Sequence, residues 1–355
     1  MSWQDIGIKH KRIDETLALT IRVNLSGRGD LPPILNDLLR RIPVDAFAGP
    51  PFAVIRFITS VESGLDADLA VPVARPIAIE GVSTRTFRPL DVLSLVHEGP
   101  IETLRETYRR LYGAAADQGL ISDEFAREVY LEWGSAERSR IEVQFVLHDW
   151  SARAAASVQR VLGVEGKGRL MGNLPPPPLA ATLDARFDWV KTMVARMEQS
   201  ANAHQTYDIL SSCAHVFPQE QIDKLTVVYE EARARSENAL KAVDAVTAFM
   251  GLDPGWGAAP HREGHIIYAT KAPRDAQAHA KAQSDAERRS AYCFCPIIRS
   301  RLENGMPPAF CNCGAGWYRQ QWEGAIGRDV RISIVKSILR GDDACQFAIQ
   351  LPDDL

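Results

Sequence analysis

The sequence predicts an α+β protein of two domains, and three features carry that prediction. Over the first 150 residues, alternating apolar stretches and helical stripes recur in the order strand, helix, strands, then strand, helix, strands. From Ser151 onward helical periodicity dominates, after a segment rich in glycine and proline. At 355 residues the chain also exceeds the size, about 250 residues, at which a single core stops growing.

Taking the first half in order, Leu17, Leu19, Ile21 and Val23 alternate with the period of a half-buried strand. Pro32 and Pro33 suit the first turn of a helix whose apolar face is Leu35, Leu38, Leu39 and Ile42. Phe52 to Ile58 and Leu69 to Val73 read as further strands, the latter interrupted by Pro72. The pattern then repeats: Thr86 to His97 as strand, Gly99-Pro100 as turn, and Ile101, Leu104, Tyr108 and Leu111 as a helical stripe. Glu128 to Glu132 and Ile141 to Leu147 close the copy near Trp150, which sets the first domain at residues 1–150.

In the second half, Ala154 to Leu162 reads as a short helix. Gly163 to Pro178, with four consecutive prolines, reads as a semi-rigid spacer, so residues 151–180 are expected to link the domains. Residues 181–355 then hold helices at Asp184 to Gln199 and Gln219 to Met250, the latter polar between Tyr229 and Asn238. A strand at Ile266 to Thr270, a helix at Ala276 to Arg289 and a strand at Val330 to Ile338 complete the domain. Trp256, His261 and His265 fall in the loop-rich stretch before Ile266.

The formal charge of −4 argues against a broad basic surface, so neither nucleic acid nor acidic lipid is expected as a partner. The N-terminus has no signal-peptide pattern and no stretch is apolar enough to span a membrane, so a cytoplasmic location is expected. Thiols stay reduced there. Four of the six cysteines form two Cys-x-Cys doublets, Cys293/Cys295 and Cys311/Cys313. If both doublets lie on extended segments, the intervening loop can bring four sulfurs to one point, a tetrahedral zinc shell with Zn–S near ~2.3 Å. The same short spacing also serves redox pairs and iron–sulfur sites, and buried thiols also simply pack. Cys345 is a further candidate ligand, and Cys213 an alternative. Gly314 to Gly316 lacks the strand, the helix and the Lys-Ser/Thr ending of a phosphate loop.

The N-terminal half resembles the GyrI-like small-molecule-binding domains, the effector-binding modules of many MerR- and AraC-type regulators. The likeness runs from Leu17 to His148, on Leu69-Ala-Val-Pro-Val73, Val96-His97-Glu98-Gly99-Pro100, Arg127-Glu128-Val129-Tyr130-Leu131 and Ile141-Glu142-Val143. Only about fifteen residues precede the first expected strand, too few for a helix-turn-helix, so a DNA-binding repressor is not expected. Read alone, alternation puts Glu128, Tyr130 and Glu132 on one sheet face, and Glu142 and Gln144 away from Ile141 and Val143. If helices cover the apolar face, the opposite face carries the carboxylates and the phenol, either as a plain solvated surface or as a ligand site. The resemblance favours the site and implies that Glu128, Tyr130 and Glu142 bind ligand. His97 either joins them or caps its turn.

Trp322-Glu323, Val330 to Ile338 and Gly341-Asp-Asp-Ala-Cys345-Gln-Phe347 resemble the close of vinyl-reductase-like domains and of the L-2-amino-thiazoline-4-carboxylate hydrolase-like family. That likeness implies an α+β ligand-binding fold, sometimes with a cysteine-held metal. The combined expectation is a small-molecule-binding or sensing protein that couples a GyrI-like pocket to a zinc-binding, cysteine-rich domain. The alternative is a hydrolase acting on a reactive or heterocyclic small molecule.

Overall fold

The strand alternation at Leu17 to Val23 becomes β2 (Thr16–Leu25), which pairs antiparallel with β4 (Leu65–Pro72), itself paired with β3 (Phe52–Arg56). The structure, a computed structural model, describes residues 7–56, 65–120, 122–135, 138–217, 219–236, 238–252 and 259–355. Between β2 and β3 lies α1 (Leu31–Arg40), with proline in its first turn and Leu31, Leu35 and Leu38 buried. The second copy is β6 (Leu90–Gly99), α2 (Leu104–Asp117), β7 (Ser122–Ser135) and β8 (Arg138–Leu147).

The two copies join at β3 and β7 in one eight-stranded sheet of order β1-β6-β8-β7-β3-β4-β2-β5. Each copy is completed by an edge strand that precedes the other copy's first strand: β1 (Lys9–Ile13) on β6, and β5 (Ser83–Phe87) on β2. The expected α+β duplication is therefore present as two interlocked β-α-β-β repeats.

Three details differ from expectation. The single strand expected over Thr86 to His97 is two strands on opposite sides of the sheet, because Pro89 cannot donate to a ladder and breaks the run. Pro72 ends β4 without interrupting it. Residues 57–58 of the expected Phe52 to Ile58 strand lie outside the described residues, as does Trp256.

The chain divides into two compact units, Met1–His148 and Asp149–Leu355. In the second, α3 (Trp150–Met171) runs through most of the stretch expected to be a spacer. Gly163, at φ 71° and outside helical geometry, divides it into two helical segments across a kink, the first ending where the expected helix Ala154 to Leu162 does, and Leu170 and Met171 are buried in the second. Residues 151–171 are thus part of this unit's own packing, and the Pro175 to Pro178 run follows them.

Helices α4 (Leu183–Ser200) and α5 (Ala203–Ser211) follow; α5 opens on a capping box between Asn202 and Gln205. The polar middle of the expected long helix is a break between α6 (Gln219–Arg235) and α7 (Ala239–Gly251), where Asn238 caps the second. Strands β9 (His261–Glu263) and β10 (Ile266–Thr270) precede α8 (Ala276–Lys281) and α9 (Asp285–Tyr292), which are separated by the Ser284 cap. Next come α10 (Asn312–Ile326), β11 (Arg331–Lys336) and β12 (Gln346–Gln350).

The four strands form an antiparallel sheet, β11-β12-β10-β9. Val243, Val246, Ile267, Trp322, Ile332 and Ile349 make its core with α6, α7 and α10. No helix of the described residues is long and apolar enough to cross a membrane.

Candidate functional site

Cross-strand partners share a sheet face, so register decides which predicted residues meet. Glu128 pairs with Val143, and Tyr130 with Ile141, on the face covered by α2. Glu142 pairs with Val129 and so projects from the other face. The structure therefore brings Glu128 and Tyr130 together and separates Glu142 from both. Alternation along each strand holds, but the one-residue offset between β7 and β8 puts the acidic sets back to back. The helices also cover the Glu128 face, contrary to the expectation that they would cover the opposite one.

On the helix-covered face Glu128 is fully buried. Arg28, in a short turn between Gly27 and Gly29, grips the carboxylate with two prongs: Nε donates to Oε1 at 2.9 Å and Oε2 at 3.1 Å, and Nη2 to Oε1 at 2.7 Å. Tyr108 of α2 donates to Oε1 at 2.6 Å, and Tyr130 to Oε2 at 3.4 Å. Burial, then the Glu128 charge, holds both phenols well above their ordinary range, so they stay donors. Burial works against the Arg28 charge, but the Glu128 carboxylate outweighs it and keeps the guanidinium protonated. Arg28 is nonetheless one-third exposed, so the cation reaches solvent while its partner does not.

His97 is buried with both ring nitrogens engaged inside its own connection: Nδ1 with Thr107 Oγ1 at 3.1 Å and Nε2 with the Pro100 carbonyl at 3.1 Å. It anchors α2 to β6 and has no nitrogen left for a ligand.

On the opposite face, Glu142 takes Lys11 at 2.5 Å and Gln144 Nε2 at 2.9 Å. Burial opposes its charge, yet the Lys11 and Gln144 hydrogen bonds outweigh that and hold the carboxyl below its ordinary value. Beside it Arg127 lies buried, its guanidinium 3.9 Å from the centroid of the Phe52 ring.

In the second unit the cysteines take a different arrangement from the one expected. Cys311 closes a short 3-10 turn and Cys313 lies in the first turn of α10, so this doublet is helical. Residues two apart on a helix diverge by about 200°, which sends the two sulfurs apart. Cys311 Sγ meets Ser337 Oγ at 3.1 Å, while Trp150 Nε1 donates to Cys313 Sγ at 3.4 Å. Among the described residues no group of three or more His, Cys, Asp or Glu is placed to hold a metal ion. The five expected ligands, Cys293, Cys295, Cys311, Cys313 and Cys345, are free thiols. Burial raises all of them, Cys293 to about 11 and Cys311 to about 12, as suits neutral packed thiols.

The positive charge that acts on Cys293, Cys311, Cys313 and Cys345 is that of Lys271, just past β10. Its Nζ stands 5.4 Å from the ring centroids of Phe294 and Trp317, 5.7 Å from Phe347 and 5.8 Å from Tyr318. Those distances exceed the 3.9 Å of Arg127 over Phe52, so the ammonium stands among four rings without resting on one. Tyr292 fixes the strand end beneath it, donating to the Lys271 carbonyl and accepting from Cys345 N at 3.3 Å.

Sequence reasoning misses Arg28, Arg127 and Lys271. Arg28 lies in a Gly-Arg-Gly loop with no periodicity, and Lys271 gains its surroundings only through tertiary packing. Arg127 is legible as the residue that alternation places opposite Glu128.

No protein-family model matches the chain, and no curated protein matches it. Among solved structures, EcmrR in its DNA complex is 18% identical with a TM-score of 0.36, covering 39% of this chain and 56% of that one. The EcmrR C-terminal domain is 21% identical with a TM-score of 0.35, covering 39% and 96%. A hydrolase from Listeria innocua is 10% identical with a TM-score of 0.32, covering 40% and 92%. At these values the likenesses assign this chain neither a ligand nor an activity.

Proposed function

We propose that this protein binds or senses a small molecule, and that its N-terminal unit takes a lipophilic cation at Glu128, with Arg28 holding the place of the ligand's charge. The observation that carries the reading is the asymmetry of the pair: a wholly buried carboxylate, flanked by two phenols, whose one cationic partner among the described residues sits on a glycine-flanked turn and is one-third exposed. A carboxylate in such a place is costly without a cation, and an incoming cation with an apolar body replaces Arg28 while Arg28 turns to water. The duplicated β-α-β-β architecture and the GyrI-like sequence motifs of this half support the same reading.

The second unit contributes, in this reading, the aromatic surroundings of Lys271 with their reduced thiols, not a zinc site. The test is calorimetric titration of the full chain with tetraphenylphosphonium. Arg28→Met is expected to bind it more tightly than the wild type, and Glu128→Gln about tenfold or more weakly. Equal affinity in the wild type and Glu128→Gln would dismiss the site. Recovery of the ligand unchanged after prolonged incubation separates binding from hydrolysis.

A further inference from the structure

The face of the first sheet that carries Glu142 holds a second imbalance, of the opposite sign. Arg127 is 4% exposed, and its Nε and Nη1 have no hydrogen-bond partner among the described residues. A buried guanidinium without an acceptor is among the costliest groups a fold can keep, so its surroundings should show what compensates it. They do not. Glu142 is the carboxylate near enough to favour its charge, but the Glu142 oxygens take Lys11, Gln144 and Ser94. Asp68 is one strand beyond Val54, the residue that pairs with Arg127, and it serves Arg22 at 3.2 Å and Arg85 at 3.4 Å. The Phe52 ring supports one flat side of the guanidinium and leaves its N–H edges open.

Directly across the ladder from Arg127 is Gln144, 3% exposed. Its Nε2 donates to Glu142, which fixes the amide orientation and leaves Oε1 as a buried acceptor without a donor among the described residues. Directly paired residues hold their Cβ atoms within about 5.5 Å, so the side chain with open donors and the one with an open acceptor leave the sheet side by side.

We infer that Arg127 and Gln144 form an anion site on the face of the first sheet that carries Glu142, for a small carboxylate that bears a hydrogen-bond donor on the adjacent carbon, such as a 2-hydroxy or 2-amino acid. The carboxylate takes the guanidinium N–H groups, and the neighbouring hydroxyl or ammonium donates to Gln144 Oε1. This site is independent of the cation reading at Glu128: it lies on the other face and selects the opposite charge.

The experiment follows the thermal melting of the full chain in sodium lactate, sodium acetate, neutral lactamide and sodium chloride, with ionic strength held equal. In the wild type, lactate is expected to raise the melting temperature saturably and more than acetate, while lactamide gives no rise over chloride. Arg127→Met is expected to lose the response to both carboxylates. Gln144→Met is expected to bring lactate down to the acetate level, roughly a tenfold loss of affinity. In chloride alone Arg127→Met is expected to melt at or above the wild type, because the substitution removes an uncompensated buried charge. Indistinguishable lactate and chloride curves in the wild type, or an unchanged lactate response in Arg127→Met, would overturn the site. So would a drop of many degrees for Arg127→Met in chloride, which would mean that the protein itself satisfies the guanidinium.

Discussion

Arg28 and Glu128, 100 residues apart in the chain, meet as a two-pronged ion pair in which the carboxylate is wholly buried and the guanidinium one-third exposed. That inequality makes the two halves of the pair unequal to mutation. Arg28→Met strands a carboxylate with no route to water, and is expected to lower stability by about 3 kcal/mol. Glu128→Gln strands an arginine that turns outward, and is expected to cost about 1 kcal/mol, chiefly in weakened hydrogen bonds. Urea melts of both variants in ligand-free buffer check this; equal costs would show that Arg28 is as tightly enclosed as its partner.

Much of the first unit is legible in the sequence because each strand carries its own alternation and each helix its own stripe: Leu17 to Val23 and Leu35 to Leu39 are examples. What single-strand alternation cannot supply is the offset between neighbours. Val129 opposite Glu142, instead of Glu128 opposite Glu142, reverses the composition of the expected site. Cys311 to Cys313 depart from expectation for another reason. Pro307 and Pro308 suggest a loop, although proline is at home in a first helical turn, and Ala315, Tyr318, Trp322 and Ala325 carry helical spacing. That spacing, extended back to Cys311, turns the Cys311 and Cys313 side chains in different directions. Lys271 has no local signal, since its rings come from separate points of the chain.

Two glycines test how the second unit is packed. A Cβ on Gly316 would lie 1.8 Å from the Ser211 carbonyl oxygen, a backbone atom that cannot step aside, so α10 meets the end of α5 through that glycine. Gly316→Ala is expected to cost about 3 kcal/mol. Gly168, in α3, has nothing within 4 Å of its would-be Cβ. Gly168→Ala is expected to raise stability by about 0.5–1 kcal/mol through helix propensity. Melting curves of the two variants should therefore move in opposite directions; a stabilising Gly316→Ala would mean that the helices do not approach as closely as the structure has them.

Burial raises the Cys293 thiol from 9.0 to about 11, which fixes the sign of its pH dependence. Between those values the unfolded chain gives up the proton and the folded chain keeps it, so stability falls as pH rises. The contribution is fully present below pH 9 and lost on the way to pH 11, amounting to about 1.4 kcal/mol at pH 10. Cys295, Cys311, Cys313 and Cys345 shift in the same direction and steepen the decline. Melts under reducing conditions should show stability falling from pH 8 to pH 10. Cys293→Ala should decline less steeply than the wild type over that interval, and parallel declines would mean that Cys293 is not shielded from water.

The divergence of Cys311 and Cys313 along a helix bears directly on metal content. A structural zinc needs four ligands converging at about 2.3 Å, and its removal from such a site usually unfolds a small domain. Here Cys311 turns to Ser337 and Cys313 to Trp150, and no three metal-binding side chains among the described residues converge. Protein purified without chelator is accordingly expected to carry substoichiometric zinc by elemental analysis. Cys311→Ser keeps a hydroxyl where the thiol met Ser337, and is expected to change stability by about 1 kcal/mol or less. The reduced protein should also titrate slowly with thiol reagents at pH 7 and rapidly after unfolding, because burial holds these thiols protonated. One equivalent of zinc, released together with a steep fall in melting temperature when Cys311 becomes serine, would instead require the two doublets to converge, and with them a different conformation of the segment from Cys311 to Cys313.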